Sequence, residues 1–442
     1  MIKSNKNAYQ IASNLYLCLL LLYPLWFDSA GLTAISSAKR YAFYTINAIY
    51  FLSFFTILLI EVLRGKRTLS DFAHFSKRIS LTQIFVLLYL LFTLISALLS
   101  PYRNSVLLGA SRSEGLLTIA CYCIGFFLIA QFICPKKWML WLFSAVMIIF
   151  CIVGILQRLN FNPFSLYPAI ETPHDYSLSF FSTIGNVDYV ASFLCIAIPF
   201  LWVTVLRADE KKRFLLLIPL IFALSALVLI DVAAGFVGIF AGALFSVPVV
   251  IPASKKSRRI LFFCIIAFVV LLLIIVRVVD FSNRTLHEFH EMLNGHLGNK
   301  FGGSRILIWK RVAVRIPERL WFGHGPDTMS LTGIPNINIL NSKKVVVLSR
   351  RIDVAHNEYL NILFHQGLFA LICYLAALVS ALLKWIRKSP ANPVIAAFGA
   401  AVFVYCIQAF FGISQLITAP FFWCALALLE NACRHKNRPP CI

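Results

Sequence analysis

The sequence predicts an all-α polytopic membrane protein: about twelve transmembrane helices, with one large external loop between the ninth and the tenth. Three observations predict it. Hydrophobic residues make up 60% of the 442 residues. Apolar runs close to the roughly 20 residues that a bilayer core requires recur along the whole chain. Basic residues collect in short segments on alternate sides of those runs, as the positive-inside bias demands. A β-barrel would show shorter segments of alternating hydrophobicity, and no soluble domain of useful size is left over.

The spans fall at 9–27, 41–62, 82–99, 115–133, 138–156, 187–206, 213–230, 233–251, 260–279, 367–386, 392–411 and 415–432. The first resembles a signal sequence, but Asp28-Ser29 follows Phe27 in place of a small-residue cleavage site; an uncleaved span is expected. Within 214–251 the one charge is Asp231. About 38 apolar residues exceed one span and suit two, which predicts a tight hairpin at Asp231–Gly235.

Orientation follows from charge. More than half of the 40 basic residues lie in Lys3–Lys6, Arg64–Arg78, Lys136–Lys137, Arg207–Arg213, Lys255–Arg259, Lys384–Lys388 and Arg434–Arg438, all on one side of the twelve-span arrangement. Both termini are therefore expected in the cytoplasm and the 280–357 loop outside. The domains read as 1–279 (spans 1–9), 280–366 (external loop) and 367–442 (spans 10–12 and tail). The net charge of +22 is mostly this bias and requires no nucleic-acid partner. Twelve cysteines are present, but none lies in the 280–357 loop, so neither a disulfide framework nor a metal cluster is expected.

The spans are nearly free of charge: Glu61 and Arg277 sit at ends and Asp231 in a turn. That argues against an ion-coupled transporter, which needs ionisable groups near the bilayer midplane. The external loop is the opposite. It carries eleven basic residues against six acidic ones, either as a solvated segment touching anionic headgroups or as a site for an anion. Arg305, Ile308, Trp309, Val312, Ile316 and Trp321 are spaced as an amphipathic helix starting near Ser304, with Ser304 as its cap and the tryptophans at an interface. Arg311 and Arg315, four apart, share one face. Arg305 follows Gly302-Gly303, whose amides could approach an anion at a helix start, and arginine forks grip phosphate oxygens in two places. A headgroup anchor is the plainer role for Arg305.

His356, in Asp353-Val-Ala-His-Asn-Glu-Tyr359, stands just before a helix. It can take a proton near neutral pH, with Asp353 or Glu358 holding its tautomer; a cap or packing residue is the plainer reading. His365 reads as structural. His287-Glu-Phe-His290 is not a zinc-protease motif, and the chain has no D-x-D. Chemistry here would run on arginine electrostatics and one base, with no cofactor.

Four segments resemble the O-antigen ligase/polymerase superfamily. Arg112-Ser-Glu-Gly-Leu116 resembles its R-x-E-G-L element, and Gly185-Asn-Val-Asp-Tyr-Val-Ala191 its G-N-x-[ND]-[YF]-x-A segment, whose usual proline is Val187 here. Gly303-Ser-Arg305, Trp309-Lys310 and Phe322-Gly-His-Gly-Pro-Asp327 resemble the run through its external loop, and His356-Asn-Glu-Tyr-Leu360 the signature closing it. The resemblance implies a GT-C-like bundle in a bacterial cytoplasmic membrane that moves a glycan from a polyprenyl (undecaprenyl) diphosphate carrier to an acceptor hydroxyl, with inversion and without a metal. Arg305 would hold the diphosphate and His356 would assist the acceptor. Arg112, Arg311, Arg315, Asn186, Asp188, Asp353, Asn357, Glu358 and Tyr359 would line the substrate site. The acceptor would be a lipid, a wall anchor, a protein or another carrier-linked glycan, chosen by loops 157–186 and 328–352. A polymerase, a flippase for the same lipid and an inactive membrane partner are the alternatives. The family's Ser-Arg-Gly is absent: Asp231-Val-Ala-Ala-Gly235 stands there. Either Arg112 or a loop arginine such as Arg311 replaces its arginine, or the diphosphate is gripped less firmly.

Overall fold

The computed structural model describes residues 6–65, 79–167, 180–282, 284–296, 301–340 and 346–434. Lys3, Lys66, Arg67, Lys77, Arg78, Lys436 and Arg438 of the charge runs above lie outside them, as do Lys300, Lys343 and Lys344 of the 280–357 loop, 168–179 of the 157–186 loop and 341–345 of the 328–352 loop.

Each expected span is a helix: α1 Lys6–Leu22, α2 Ile35–Leu63, α3 Leu81–Leu99, α4 Leu116–Phe132, α5 Lys137–Arg158, α6 Val187–Arg207, α7 Glu210–Ile230, α8 Ala233–Val250 and α9 Lys255–Val278. After the loop come α13 Leu368–Lys388, α14 Pro393–Gln408 and α15 Ala419–Arg434. Among the described residues, nine are long and apolar enough to cross a membrane; α4 and α14 are apolar but shorter, at 17 and 16 residues. The loop supplies α10 Arg284–Leu293, α11 Phe301–Arg315 and α12 Glu358–Gln366. Two short antiparallel hairpins add to the helical fold: β1 Phe180–Phe181 with β2 Gly185–Asn186, and β3 Ile337–Leu340 with β4 Val346–Arg350. Both lie in connections between apolar runs, where backbone can pair outside hydrocarbon.

The expected hairpin within 214–251 forms, but its turn is only Asp231 and Val232. Asp231 adopts a left-handed conformation (φ +48°) and Val232 is extended. Helix resumes at Ala233 because alanine is the best helix former and Gly235 packs under Leu227 and Ala191. On the same face, a Cβ on Gly238 would come within 2.8 Å of Gln408, and one on Gly242 within 2.5 Å of Val404. This small-xxx-small stripe brings α8 hard against α14. Helix α6 is almost wholly buried, whereas α9 presents nearly its whole apolar surface outward, the pattern of a central helix and a lipid-facing one.

Among the described residues, Lys39 and Glu430 bury charge inside helices that were expected to be nearly free of it. α2 starts six residues before the expected span and includes Lys39, which is fully buried. Its Nζ donates to the carbonyls of Tyr23 (2.7 Å) and Pro24 (2.8 Å), where α1 has ended. Unsatisfied C-terminal carbonyls welcome a cation, so the helix continues through it. Glu430, buried in α15, pairs with Lys384 at 2.7 Å. Apolar counting overlooked both because each charge is matched inside the bundle.

Hydrogen bonds among the connections gather one end of the bundle. Tyr23 bonds to Leu416, Thr183 to Pro24, Ala110 to Asp327 and Glu358 to Ala409. The long loop also builds a small core of its own from Ile308, Val312, Met329, Ile334, Ile352, Ala355 and Phe364.

Candidate active site

The site rests on a latch between two distant motifs. Gly323 and Gly325 both have positive φ, at +69° and +108°. A Cβ at either would strike the His365 carbonyl or the Ser100 side chain within 2.4 Å, so only glycine lets this turn lie against α12 and the end of α3. The turn delivers Asp327 beneath the 110–114 loop. Its carboxylate accepts from Ser111 Oγ (2.8 Å) and from the amides of Arg112 (2.8 Å), Ser111 (3.2 Å) and Glu114 (3.3 Å). Burial pushes the Asp327 carboxyl above its usual range, and these hydrogen bonds pull against that shift.

The latched loop aims Arg112 across the site. Its guanidinium donates to both Asp353 oxygens, at 2.7 and 3.1 Å, and to the Tyr189 hydroxyl. Burial lowers the Arg112 pKa, but charge interactions and hydrogen bonds with Tyr189 and Asp353 outweigh it, and the group stays firmly cationic. Both ends of the pair are about a quarter exposed. Replacing Arg112 with alanine strands the Asp353 carboxylate and the Tyr189 hydroxyl. The expected loss is about 3 kcal/mol of stability, toward the low end for a part-buried pair broken from one side. Thermal unfolding of the detergent-purified protein checks this, with partial recovery in Arg112→Ala/Asp353→Asn. Wild-type stability in the single variant would show that the pair holds nothing.

One residue before Tyr189, Asp188 lies near the start of α6, where Asn186 caps the helix through the Asp188 amide (2.8 Å). Its carboxylate stands 3.9 Å from Arg305 Nη2. Arg305 begins the regular part of α11. The expected Ser304 start is right in place but different in form: Gly302, Gly303 and Ser304 are all left-handed, at φ +57°, +70° and +73°. The Gly302 amide donates to Glu288 of α10 at 3.1 Å, and Arg305 Nη1 donates to the Gly302 carbonyl at 2.6 Å. Arg305 Nε is buried with no hydrogen-bond partner, although the side chain is 20% exposed. A cleft lined by Ala233, Ala234, Glu288, Gly302, Arg305 and Trp309 opens here. The 231–235 stretch, which lacks the family arginine, thus faces the same cleft as Arg305.

Trp309, one turn beyond Arg305, was expected at a membrane interface. Instead its indole N–H donates to the Ala355 carbonyl at 2.8 Å, tying α11 to the residue before His356. His356 is half-buried and left-handed, at φ +49°. The helix cap beside it is Asn357, whose side chain accepts from the Leu360 amide at 3.0 Å. The capping role considered for His356 therefore belongs to its neighbour.

The other candidates divide. Asn186, Asp188, Arg112 and Asp353 meet Arg305 and Tyr189 in one chain of contacts. Glu358 turns inward, where Tyr374 and Tyr405 donate to it at 2.5 and 2.7 Å, and Tyr359 donates to the Cys406 carbonyl. Arg311 Nη1 holds the carbonyls of Pro335 and Asn336, both at 2.8 Å. Arg315 bridges Glu318 and the Thr332 carbonyl. These two arginines shape the loop. His365 is buried and accepts from the Met329 amide at 3.3 Å; burial lowers its pKa to about 3, so the ring is neutral. Sequence reasoning gave no role to Tyr189 or Asp327, although both lie within the quoted motifs.

In comparison with known proteins, residues 218–375 match the family model described as O-antigen ligase. That span runs from α7 through α13 and includes Arg305 and His356. No curated protein matches the chain.

Proposed function

We propose, from the match of residues 218–375 to the O-antigen ligase family model, that the chain is a membrane protein of surface polysaccharide synthesis that transfers a glycan from a polyprenyl diphosphate carrier to an acceptor hydroxyl at the outer face of a bacterial cytoplasmic membrane. One observation carries the reading: the Trp309–Ala355 hydrogen bond couples the helix that presents Arg305 to the strained turn that presents His356.

In the proposed reaction the acceptor oxygen bonds to the anomeric carbon as the bond from that carbon to phosphate breaks. The electron pair leaves on the diphosphate, and the configuration inverts. Arg305 is the cation beside the leaving group, in a cleft where part of the water is excluded and such a donor counts most. His356 orients the acceptor hydroxyl and takes its proton. Arg112 is occupied by Asp353 and Tyr189, and Arg311 by loop carbonyls. Arg112 therefore has no free fork for phosphate, and Arg305, which lines the cleft, is the main grip on the diphosphate. Asp353 acts by fixing the turn ahead of His356. Glu358, held by two tyrosines, supports α12.

The test uses purified protein in lipid nanodiscs with a polyprenyl-diphosphate glycan and acceptor-bearing membranes. Glycan on the acceptor, matched by free polyprenyl diphosphate, is the expected result. Movement of the intact donor across the bilayer without cleavage would replace transfer with a flippase role.

A further inference from the structure

A second polar cavity shares no lining residue with the Arg305 cleft. It measures about 30 Å³ and is lined by Glu114, Glu358, His365, Gln366, Tyr122 and Tyr374, among others. Its two carboxylates come from the first and last of the four motifs, yet both point into the protein. The space suffices for one or two water-sized occupants.

What lines it is unbalanced. Glu358 accepts from Tyr374 and Tyr405, and Glu114 accepts from Tyr122 at 2.9 Å. Those hydroxyls are spent as donors. His365 faces the Met329 amide with Nε2. Gln366 is 5% exposed, and its Oε1 is buried with no hydrogen-bond partner. Among the described residues, no lysine or arginine forms an ion pair with Glu114 or Glu358. Burial raises both carboxyls above their usual range, and the tyrosine hydrogen bonds work in the opposite direction. The buried Glu358 carboxyl, the half-buried Glu114 carboxyl and a bare amide oxygen therefore share a cavity whose described lining holds no lysine or arginine. Burying unpaired charge or an unmet acceptor is costly, and each can be relieved by a small cation with oxygen ligands.

We propose that this cavity binds a monovalent alkali-metal cation, held by Glu114, Glu358 and Gln366 Oε1, which locks α12 against the bundle. A divalent ion fits less well. Magnesium keeps several waters of its own, more than this volume holds. A lone water would meet Gln366 but leave the charge of the carboxylates unanswered. The cation is structural and touches neither Arg305 nor His356, so the proposal stands apart from the transfer reading.

The experiment is thermal unfolding of the detergent-purified full chain in sodium, potassium or N-methyl-D-glucamine chloride at one ionic strength of about 0.2 M. An alkali cation that binds only the folded state is expected to raise the midpoint by about 3–5 °C over N-methyl-D-glucamine. Glu114→Gln and Gln366→Leu each flatten that response. Equal midpoints in all three salts for the wild-type protein would overturn the proposal and leave the cavity to water. A wild-type response that persists undiminished in both variants would overturn it as well. Because the readout is stability, failure here is separate from failure of glycan transfer.

Discussion

His356→Ala inserts into the membrane but loses glycan transfer by about 10²–10⁴-fold, the usual contribution of a general base. Alanine is a blunt probe at this position, because φ is +49° and a non-glycine residue in the left-handed region is strained. His356→Asn separates the two effects. Asparagine tolerates that conformation and keeps the turn ahead of the Asn357 cap, but it cannot take a proton near neutral pH. The two variants are expected to lose transfer equally, while only alanine also lowers thermal stability. Rates are read as glycan on the acceptor per unit of membrane-inserted protein. A His356→Asn protein that transfers at close to the wild-type rate would exclude the imidazole as the base.

Arg305→Ala lowers turnover by about 10²–10³-fold, as expected when one preorganised donor to a developing anion is removed. The loss should fall at the upper end, because Ala233 and Ala234 bring no charge to the cleft and Arg112 is already engaged. Arg305→Lys keeps the charge but not the fork, and is expected to recover only part of the rate. Asp188→Asn is the informative companion. Its carboxylate is 3.9 Å from Arg305 and 43% exposed, so it competes weakly with phosphate for the guanidinium. Removing that charge should tighten donor binding, read as a lower KM. Donor cleavage at the wild-type rate by Arg305→Ala would show that another group carries the leaving charge.

Much of the molecule was legible in the chain because hydrophobicity is additive and local. The twelve apolar runs became twelve helices, and the Asp231 hairpin was visible because one helix cannot hide so long a run. Spacing also put Ile308 and Val312 on the buried face of α11. What local reasoning missed shares one property: it depends on partners distant in sequence. The expected second span stopped short of Lys39, because the carbonyls that receive it belong to Tyr23 and Pro24. Trp309 looked like an interface residue because its acceptor, Ala355, is 46 residues away. Asp327 was a letter in a motif until the 110–114 loop settled on its carboxylate. Arg311 was read as a phosphate ligand from its charge, the face it shares with Arg315 and the missing Ser-Arg-Gly arginine, and only the fold shows its Nη1 on the carbonyls of Pro335 and Asn336.

The amino-acid order by itself therefore determined the helical membrane architecture, the place of the charged loop along the chain and the residue types able to hold an anion. Each of these follows from composition and spacing within one segment. The tertiary structure alone decided which of those residues remain available. A guanidinium or carboxylate is spent or free according to what the fold brings within about 3 Å of it. For Arg112, Asp353 and Glu358 the fold supplies partners, while the Arg305 Nε stays unmet beside an open cleft.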